Sequence, residues 1–234
     1  MELPPGPSQH PKKFMPLAEH SELRRLVENV VSGLGLRLSE RQIEQLATHF
    51  SLLLHWNRKI NLTSLRHPEE IAARHFGESL FLTKVVKLGT GLLVDVGSGA
   101  GFPGLPIKIA CPAISAVLLE ANKRKTAFLK EVIRSCGLEG IEARSERLEE
   151  AARGELAGQA QWVTLRAVAL TADLLMDLKK LLAPEGQLAL FLGEKDALEL
   201  ARTPGFQWAP PARIPHSERR VILIGRAAAG TEGS

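Results

Sequence analysis

Two cysteines in 234 residues, Cys111 and Cys136, are too few for a disulfide framework and stand at no metal-ligand spacing. Both read as the reduced thiols of an intracellular protein. No apolar run approaches the ~18–20 residues of a membrane-spanning helix. The opening residues, Met1 to Pro16, carry lysines and prolines without the apolar stretch of a signal peptide. A soluble, cytoplasmic, monomeric chain that holds no metal is therefore expected. Charge of one sign is also scarce. A net charge of +4 and a pI near 9.2 permit an anionic partner without demanding one. Residues 1–90 hold 12 Lys/Arg against 9 Asp/Glu and six of the seven histidines, whereas the rest holds 18 against 17. Any basic face thus involves the N-terminal part. Apolar content of 44% and charged content of 24% are ordinary for a globular protein with an ample core.

The most informative stretch is Leu92-Leu93-Val94-Asp95-Val96-Gly97-Ser98-Gly99-Ala100-Gly101-Phe102-Pro103-Gly104. It begins as a buried strand and breaks into alternating glycines, which let a backbone turn tightly and come close to a bound molecule. Pro103 and Pro106 suit the first turn of a helix over Leu105–Ala110. Strand, glycine turn and helix together open a nucleotide-binding α/β sheet. The nicotinamide pattern G-x-G-x-x-G fits poorly, because the sixth residue counted from Gly97 is Phe102. Asp95-x-Gly97-x-Gly99-x-Gly101 instead resembles the acidic-G-x-G-x-G motif of S-adenosylmethionine-dependent methyltransferases. A second strand, Ser115 to Glu120, ends in an acid about twenty residues past the glycines, where a carboxylate can accept both ribose hydroxyls of an adenosine.

Around this centre the chain reads as helices first and then alternating strands and helices, a helical cap ahead of a parallel sheet. The first helix is expected over Ser21–Leu34. A capping box, Ser39 with Gln42, starts a stronger one with the stripe Ile43, Leu46, Ala47, Phe50, Leu53 and Leu54. His67-Pro68-Glu69-Glu70 opens a third, carrying Arg74 and His75. After the glycine motif, Asn122 caps a helix through Ser135, Ile141–Ser145 is strand-like, and Arg147-Leu148-Glu149-Glu150 begins a helical turn. Gln161–Leu165 is the fourth strand, ending at Arg166. Thr171–Leu182 is helical, Gly186–Leu192 is the fifth strand, and Ala197–Arg202 is again helical. Phe206-Gln207-Trp208 and Val221–Ile224 close the sheet as an antiparallel pair. The expected organisation is a tail over 1–20, a helical cap over 21–90, an α/β domain of Rossmann-like, class I methyltransferase type over 91–226, and a tail over 227–234.

Ligands of such sheets lie outside the carboxyl ends of the strands. Methyltransferases of base amino groups place D/N-P-P-aromatic after the fourth strand. Here that position reads Leu165-Arg166-Ala167-Val168-Ala169, which disfavours that chemistry. Pyrimidine C5 methylation needs a cysteine nucleophile, and Cys111-Pro112 stands about two turns from the strand tips. Guanine N7 remains: it carries a free lone pair, and its attack on a sulfonium methyl needs positioning more than a base.

The residues resemble the bacterial 16S ribosomal RNA guanine-N7 methyltransferases, the glucose-inhibited division protein B family, from about Ser39 to Gly225. The marks are Trp56-Asn57-Arg58-Lys59-Ile60-Asn61-Leu62-Thr63, Arg74-His75, Asp95 to Pro106, Leu119-Glu120, Lys123-Arg124 with Phe128-Leu129, Arg147 to Glu150, Arg166-Ala167 and Glu218-Arg219. The resemblance implies S-adenosylmethionine contacts at Gly97, Phe102, Leu148, Glu149 and Arg166, with Glu120 as the ribose acid; the glycine pattern itself adds Gly99 and Gly101 to the cofactor-binding residues. It implies Arg124 and Arg166 as catalytic-site residues, and Arg58, Lys59, Asn61, His75 and Arg219 as contacts to 16S rRNA or the small ribosomal subunit. Ser145-Glu146 is the alternative to Leu148-Glu149 at the adenine. One departure stands out. The family often has Leu-Lys-Gly after the fifth strand, where this chain reads Phe191-Leu192-Gly193, with Lys195 following. A small-molecule methyltransferase of the same fold and a non-catalytic RNA-binding regulator are the competing readings.

Overall fold

The structure is a computed structural model, and it describes residues 17–166 and 170–228. The expected tails fall mostly outside that range, as do Ala167, Val168 and Ala169. The N-terminal part is helical. α1 (Leu17–Gly33) begins four residues before the expected Ser21 and buries Leu23, Val27 and Val31 on one stripe. α2 (Glu40–Asn57) starts where the capping box predicts. The Ser39 hydroxyl accepts the Gln42 N–H at 3.3 Å, and the Gln42 side chain accepts the Ser39 N–H at 2.8 Å. Beyond α2, the Asn57 side-chain oxygen accepts the N–H groups of Leu62 (2.9 Å) and Thr63 (3.0 Å), so Asn57 organises the basic turn. α3 (Pro68–Ile71) then widens into a π-helical turn (Ala72–Gly77) before continuing as α4 (Glu78–Val85). The sequence reading has no such turn, because one extra residue in a helix changes no composition. The insertion re-aims everything after it by about a quarter turn.

The second part alternates strands and helices: β1 (Gly91–Val96), α5 (Gly104–Ala110), β2 (Ile114–Leu119), α6 (Lys123–Ser135), β3 (Ile141–Arg144), α7 (Leu148–Ala151), β4 (Ala160–Arg166), α8 (Ala172–Leu181), β5 (Leu182–Gly193), α9 (Glu194–Leu200), β6 (Phe206–Trp208), β7 (Ala212–Arg213) and β8 (Arg220–Ala227). The sheet order is β3-β2-β1-β4-β5-β8-β6. β1 to β5 are parallel, and β8 runs antiparallel to β5 with β6 and β7 against it. The direction of winding reverses between β1 and β4, which opens a crevice at their carboxyl ends. Phe206–Trp208 pairs with β8 as expected, whereas β7 and the early start of β5 at Leu182 were not expected. Among the described residues no helix is long and apolar enough to cross a membrane.

Side chains alternate across the sheet as the two-residue period requires. Leu93, Ala116, Trp162, Phe191 and Ile222 meet α4 and α5 on one face, while Val94, Val117, Val163, Leu190 and Leu223 meet α7 and α8 on the other. A third cluster joins the two parts of the chain. Phe50, Phe76 and Leu53 of the N-terminal helices pack in one core with Phe102, Leu105, Leu118, Phe128 and Leu129. Gly104, at the start of α5, permits that closeness, since a Cβ there would stand 2.5 Å from Leu118 Cδ2 and 2.9 Å from Asp95 Cβ. Gly104→Ala should therefore cost about 1–3 kcal/mol of stability by overpacking. The urea midpoint should fall with an unchanged slope. A wild-type midpoint would mean that α5 is free to shift.

Candidate active site

Asp95 is the last residue but one of β1 and has no exposure to water. Its Oδ1 accepts the Thr164 hydroxyl of β4 at 2.7 Å and its Oδ2 accepts the Gly104 N–H at 3.2 Å, so one carboxylate ties both strands of the crevice to α5. Burial pushes this carboxyl up to about 6, against the opposing pull of its hydrogen bonds to Thr164, Ser98 and Gly104 and of the Arg166 charge. The loop that follows holds Gly97, Gly99 and Gly101 at φ 66°, 56° and 86°. A Cβ on Gly101 would collide with Leu105, so that glycine serves packing. Among the described residues, nothing lies within 4 Å of a Cβ added to Gly97, and for Gly99 the nearest atom is its own loop's Gly97 carbonyl at 3.8 Å. That open side is a place where a ligand can meet backbone. Glu120, just past β2, braces the same loop. Its Oε2 accepts the Gly99 N–H at 3.0 Å and its Oε1 the Asn122 N–H at 2.8 Å. Each oxygen keeps a further lone pair for a hydroxyl.

The helical part holds the loop from its other side. His49 of α2, fully buried, hydrogen-bonds through Nε2 to the Ala100 carbonyl at 2.8 Å and stacks on Phe102 at 4.8 Å. His75 of the π-helical turn also stacks on Phe102, at 4.7 Å, and its Nε2 meets the Thr63 hydroxyl at 2.7 Å. Phe76 meets the same ring edge-on at 5.0 Å. Burial lowers His49 to about 4. It lowers His75 to about 3, with the positive charges of Arg166 and Arg74 adding to the effect. Both imidazoles are neutral at pH 7 and hold the loop in place.

A charged cluster stands at the tip of β4. Arg166 Nη2 donates to the Arg74 carbonyl at 2.8 Å and lies 3.0 Å from Glu78 Oε2, which is also 3.2 Å from Arg220 Nη2. These are close charge pairs without hydrogen-bond alignment: Glu78 Oε2 and Arg166 Nη1 are both buried and lack an aligned partner among the described residues. Burial lowers Arg166 to about 10 despite the attraction of Glu78. Burial also raises the Glu78 carboxyl, against the pull of its arginines. Two guanidiniums on one carboxylate, with a spare buried donor, favour a further anion. Beside this cluster, away from the glycine loop, lies a cavity of about 750 Å³ between α1, the π-helical turn and residues 214–220.

The structure gathers Gly97, Gly99, Gly101, Phe102, Glu120 and Arg166 at one edge of the sheet. Phe102 is packed among the imidazoles and 6% exposed, so its main chain is the part a ligand can meet. Leu148 is buried against the α7 face of the sheet and Glu149 is exposed, both in the first turn of α7. Arg124 is exposed in the first turn of α6, which Asn122 caps. Arg58, Lys59 and Asn61 are exposed beyond α2, and Arg219 is exposed before β8. His75, expected at the RNA, stacks on Phe102 and meets the Thr63 hydroxyl through Nε2. Lys195 projects from α9, 3.9 Å from Glu199. Cys111 is half-buried at the end of α5 with its thiol raised by burial, as suits a packing residue. Sequence reasoning missed His49, Glu78, Thr164 and Arg220. Only His49 left a local signal, an imidazole within an apolar helical stripe.

A doubly wound sheet with an acid-terminated β1, an open glycine loop and an acid after β2 defines a methyltransferase of the S-adenosylmethionine-dependent class. A solved "SAM dependent methyltransferase from Aquifex aeolicus" shares the fold with a TM-score of 0.57 at 13% identity, covering 71% of this chain and 97% of that one. The particular family is also fixed. Residues 42–206 match the family described as rRNA small subunit methyltransferase G, and the chain belongs to it. Its relatives include the ribosomal RNA small subunit methyltransferases G of Halorhodospira halophila, 39% identical over 181 residues (77% of this chain, 84% of that one), and of Cupriavidus necator, 32% identical over 235 residues (91% and 98%).

The buried imidazoles make stability depend on pH. Both have folded pKa values below the unfolded value near 6.5, so below that pH the unfolded chain binds protons that the folded chain refuses. Their contribution is full above about 6.5 and is lost as pH falls towards 4. Asp95 acts in the opposite sense, since its raised pKa favours the fold as pH drops through about 6. His49→Gln should lower stability at pH 7.5 and flatten the loss between pH 6.5 and 4.5. Unfolding midpoints across that range decide it, and parallel curves for both proteins would contradict it.

Proposed function

We propose that this chain transfers a methyl group from S-adenosylmethionine to N7 of a guanine in 16S ribosomal RNA. The carrying observation is that Gly97 and Gly99 present open, left-handed backbone between Glu120 and Arg166. The residues present fit that molecule. Gly97, Gly99 and Gly101 allow its close approach, Glu120 has lone pairs for the ribose hydroxyls, and the first turn of α7 or the preceding Ser145-Glu146 stands near the adenine. Arg166 Nη1, a buried donor without a partner among the described residues, suits the methionine carboxylate. When bound, the cofactor supplies an electrophilic methyl group on a sulfonium.

The chain's own part is to orient, to dry and to hold charge. His49 and His75 are neutral and committed to the loop, and Asp95 is committed to Thr164 and Gly104, so none of these groups is available as a general base. Guanine N7 needs none, because its lone pair is already free. Arg58, Lys59 and Asn61, exposed beyond α2, and the exposed Arg219 would grip flanking phosphates, and the exposed Arg124 would face the reacting base. The partner is 16S rRNA or the small subunit, in the cytoplasm, and the guanine is unpaired or flipped. Labelled-methyl transfer to ribosomal RNA that lacks its native modification tests the reading. Label at guanine N7 supports it, and label on another atom or on no RNA overturns it.

Glu120 gives a separate test of the cofactor site. Glu120→Ala removes charge-assisted hydrogen bonds worth about 1.5–3 kcal/mol, so affinity for S-adenosylmethionine should fall roughly 10- to 150-fold. Calorimetry on the folded variant measures it. Unchanged affinity would remove Glu120 from the ribose.

A further inference from the structure

The π-helical turn changes what Arg166 meets at the tip of β4. In an α-helix the Glu78 N–H would bond to the Arg74 carbonyl. Here it is directed at the carbonyls of Ala73 and His75, and the Arg74 carbonyl accepts Nη2 of Arg166 at 2.8 Å. Glu78 begins α4 directly after the turn, and its Oε2 stands 3.0 Å from that same nitrogen. Nη2 of Arg220, the first residue of β8, lies 3.2 Å from the same oxygen, so the carboxylate is itself held from another strand. The side chains of Arg166 and Glu78 are only 7% and 4% exposed, so water screens the pair little. Nη1, the other arm of the Arg166 fork, lacks a partner among the described residues.

We infer that Glu78 is a positioning residue: together with the Arg74 carbonyl it holds one arm of the Arg166 guanidinium, so that the other arm stands ready for the carboxylate of the cofactor's methionine part. The inference rests on the proposed S-adenosylmethionine site and names what orients its arginine. A guanidinium is planar and rigid, so holding Nη2 by two acceptors sets the plane and with it the direction of Nη1. An arginine tethered in this way has already given up the rotamer freedom that a loose one would lose on binding. Position and charge make opposite demands on Glu78. As a charge alone it repels a second carboxylate at Arg166, and its removal should tighten binding. As an anchor it aims Nη1, and its removal should weaken binding. The sign of the change separates the two roles.

The test titrates S-adenosylhomocysteine and 5′-methylthioadenosine into the full chain by calorimetry. The two share the adenosine and the sulfur, but only the first carries the amino-acid carboxylate. Wild type should hold S-adenosylhomocysteine the more tightly. Glu78→Gln should weaken that binding about tenfold or more and leave 5′-methylthioadenosine unchanged. A buried arginine stripped of its acid destabilises a fold, so Glu78→Gln/Arg220→Gln supplies a charge-balanced form. It removes one charge of each sign and keeps the net charge around Arg166, and the same selective loss is expected. Tighter or unchanged S-adenosylhomocysteine binding in either folded variant, or equal losses for both ligands, overturns the inference alone. A wild-type protein that binds the two equally, or binds neither, instead sinks the reading of Arg166 at the methionine carboxylate, and the inference with it.

Discussion

The buried carboxylate of Asp95 is the constraint from which the rest of the site follows. It stands opposite Thr164 near the carboxyl ends of the paired strands β1 and β4, and its two oxygens take a hydroxyl from one side and an N–H from the other. A carboxylate without water is costly unless such donors surround it. Once they do, the geometry is rigid: β4 cannot slide against β1, and α5 must begin beside both. The glycine loop is the length of chain left between those fixed ends. Its left-handed residues are the consequence, because few other backbones could span the turn.

The helical part completes what Asp95 begins. Without it the loop would have one fixed end and one free surface. His49 reaches from α2 to the Ala100 carbonyl, and His75 and Phe76 crowd Phe102 from the π-helical turn. The same turn puts Glu78 beneath Arg166 and Arg220. The irregular helix thus serves the loop and the charge cluster at once, as π-helical turns often do at functional sites. Folding of the N-terminal helices and competence of the site are one event, since their side chains share a core.

Much of this was legible in local chemistry. Ser39 with Gln42 and Asn122 before Lys123 mark helix starts that hold in the structure, because a cap is a contact between near neighbours. The glycine spacing and the acid at Glu120 point to the proposed cofactor site for the same reason, as both lie within neighbouring strand–turn–helix units. What stayed hidden is non-local. Thr164 meets Asp95 across 69 positions and His49 meets Ala100 across 51, and no period or motif announces such a meeting. The resemblance offered His75 as an RNA contact; that the π-helical turn stacks its ring on Phe102 could not be read from its neighbours in the chain. Glu78 and Arg220 carried no signal, since an acid at a helix start and an arginine before a strand are ordinary.

The central claim is that the buried Asp95 carboxylate builds the cofactor loop. The most direct measurement is calorimetric titration of S-adenosylmethionine into Asp95→Asn at neutral pH, beside its unfolding curve. An amide keeps an acceptor for Thr164 but turns a donor towards the Gly104 N–H, so about 1–3 kcal/mol should be lost. The account predicts that stability and cofactor affinity fall together, affinity by about tenfold or more. Wild-type affinity in a folded Asp95→Asn protein would contradict it.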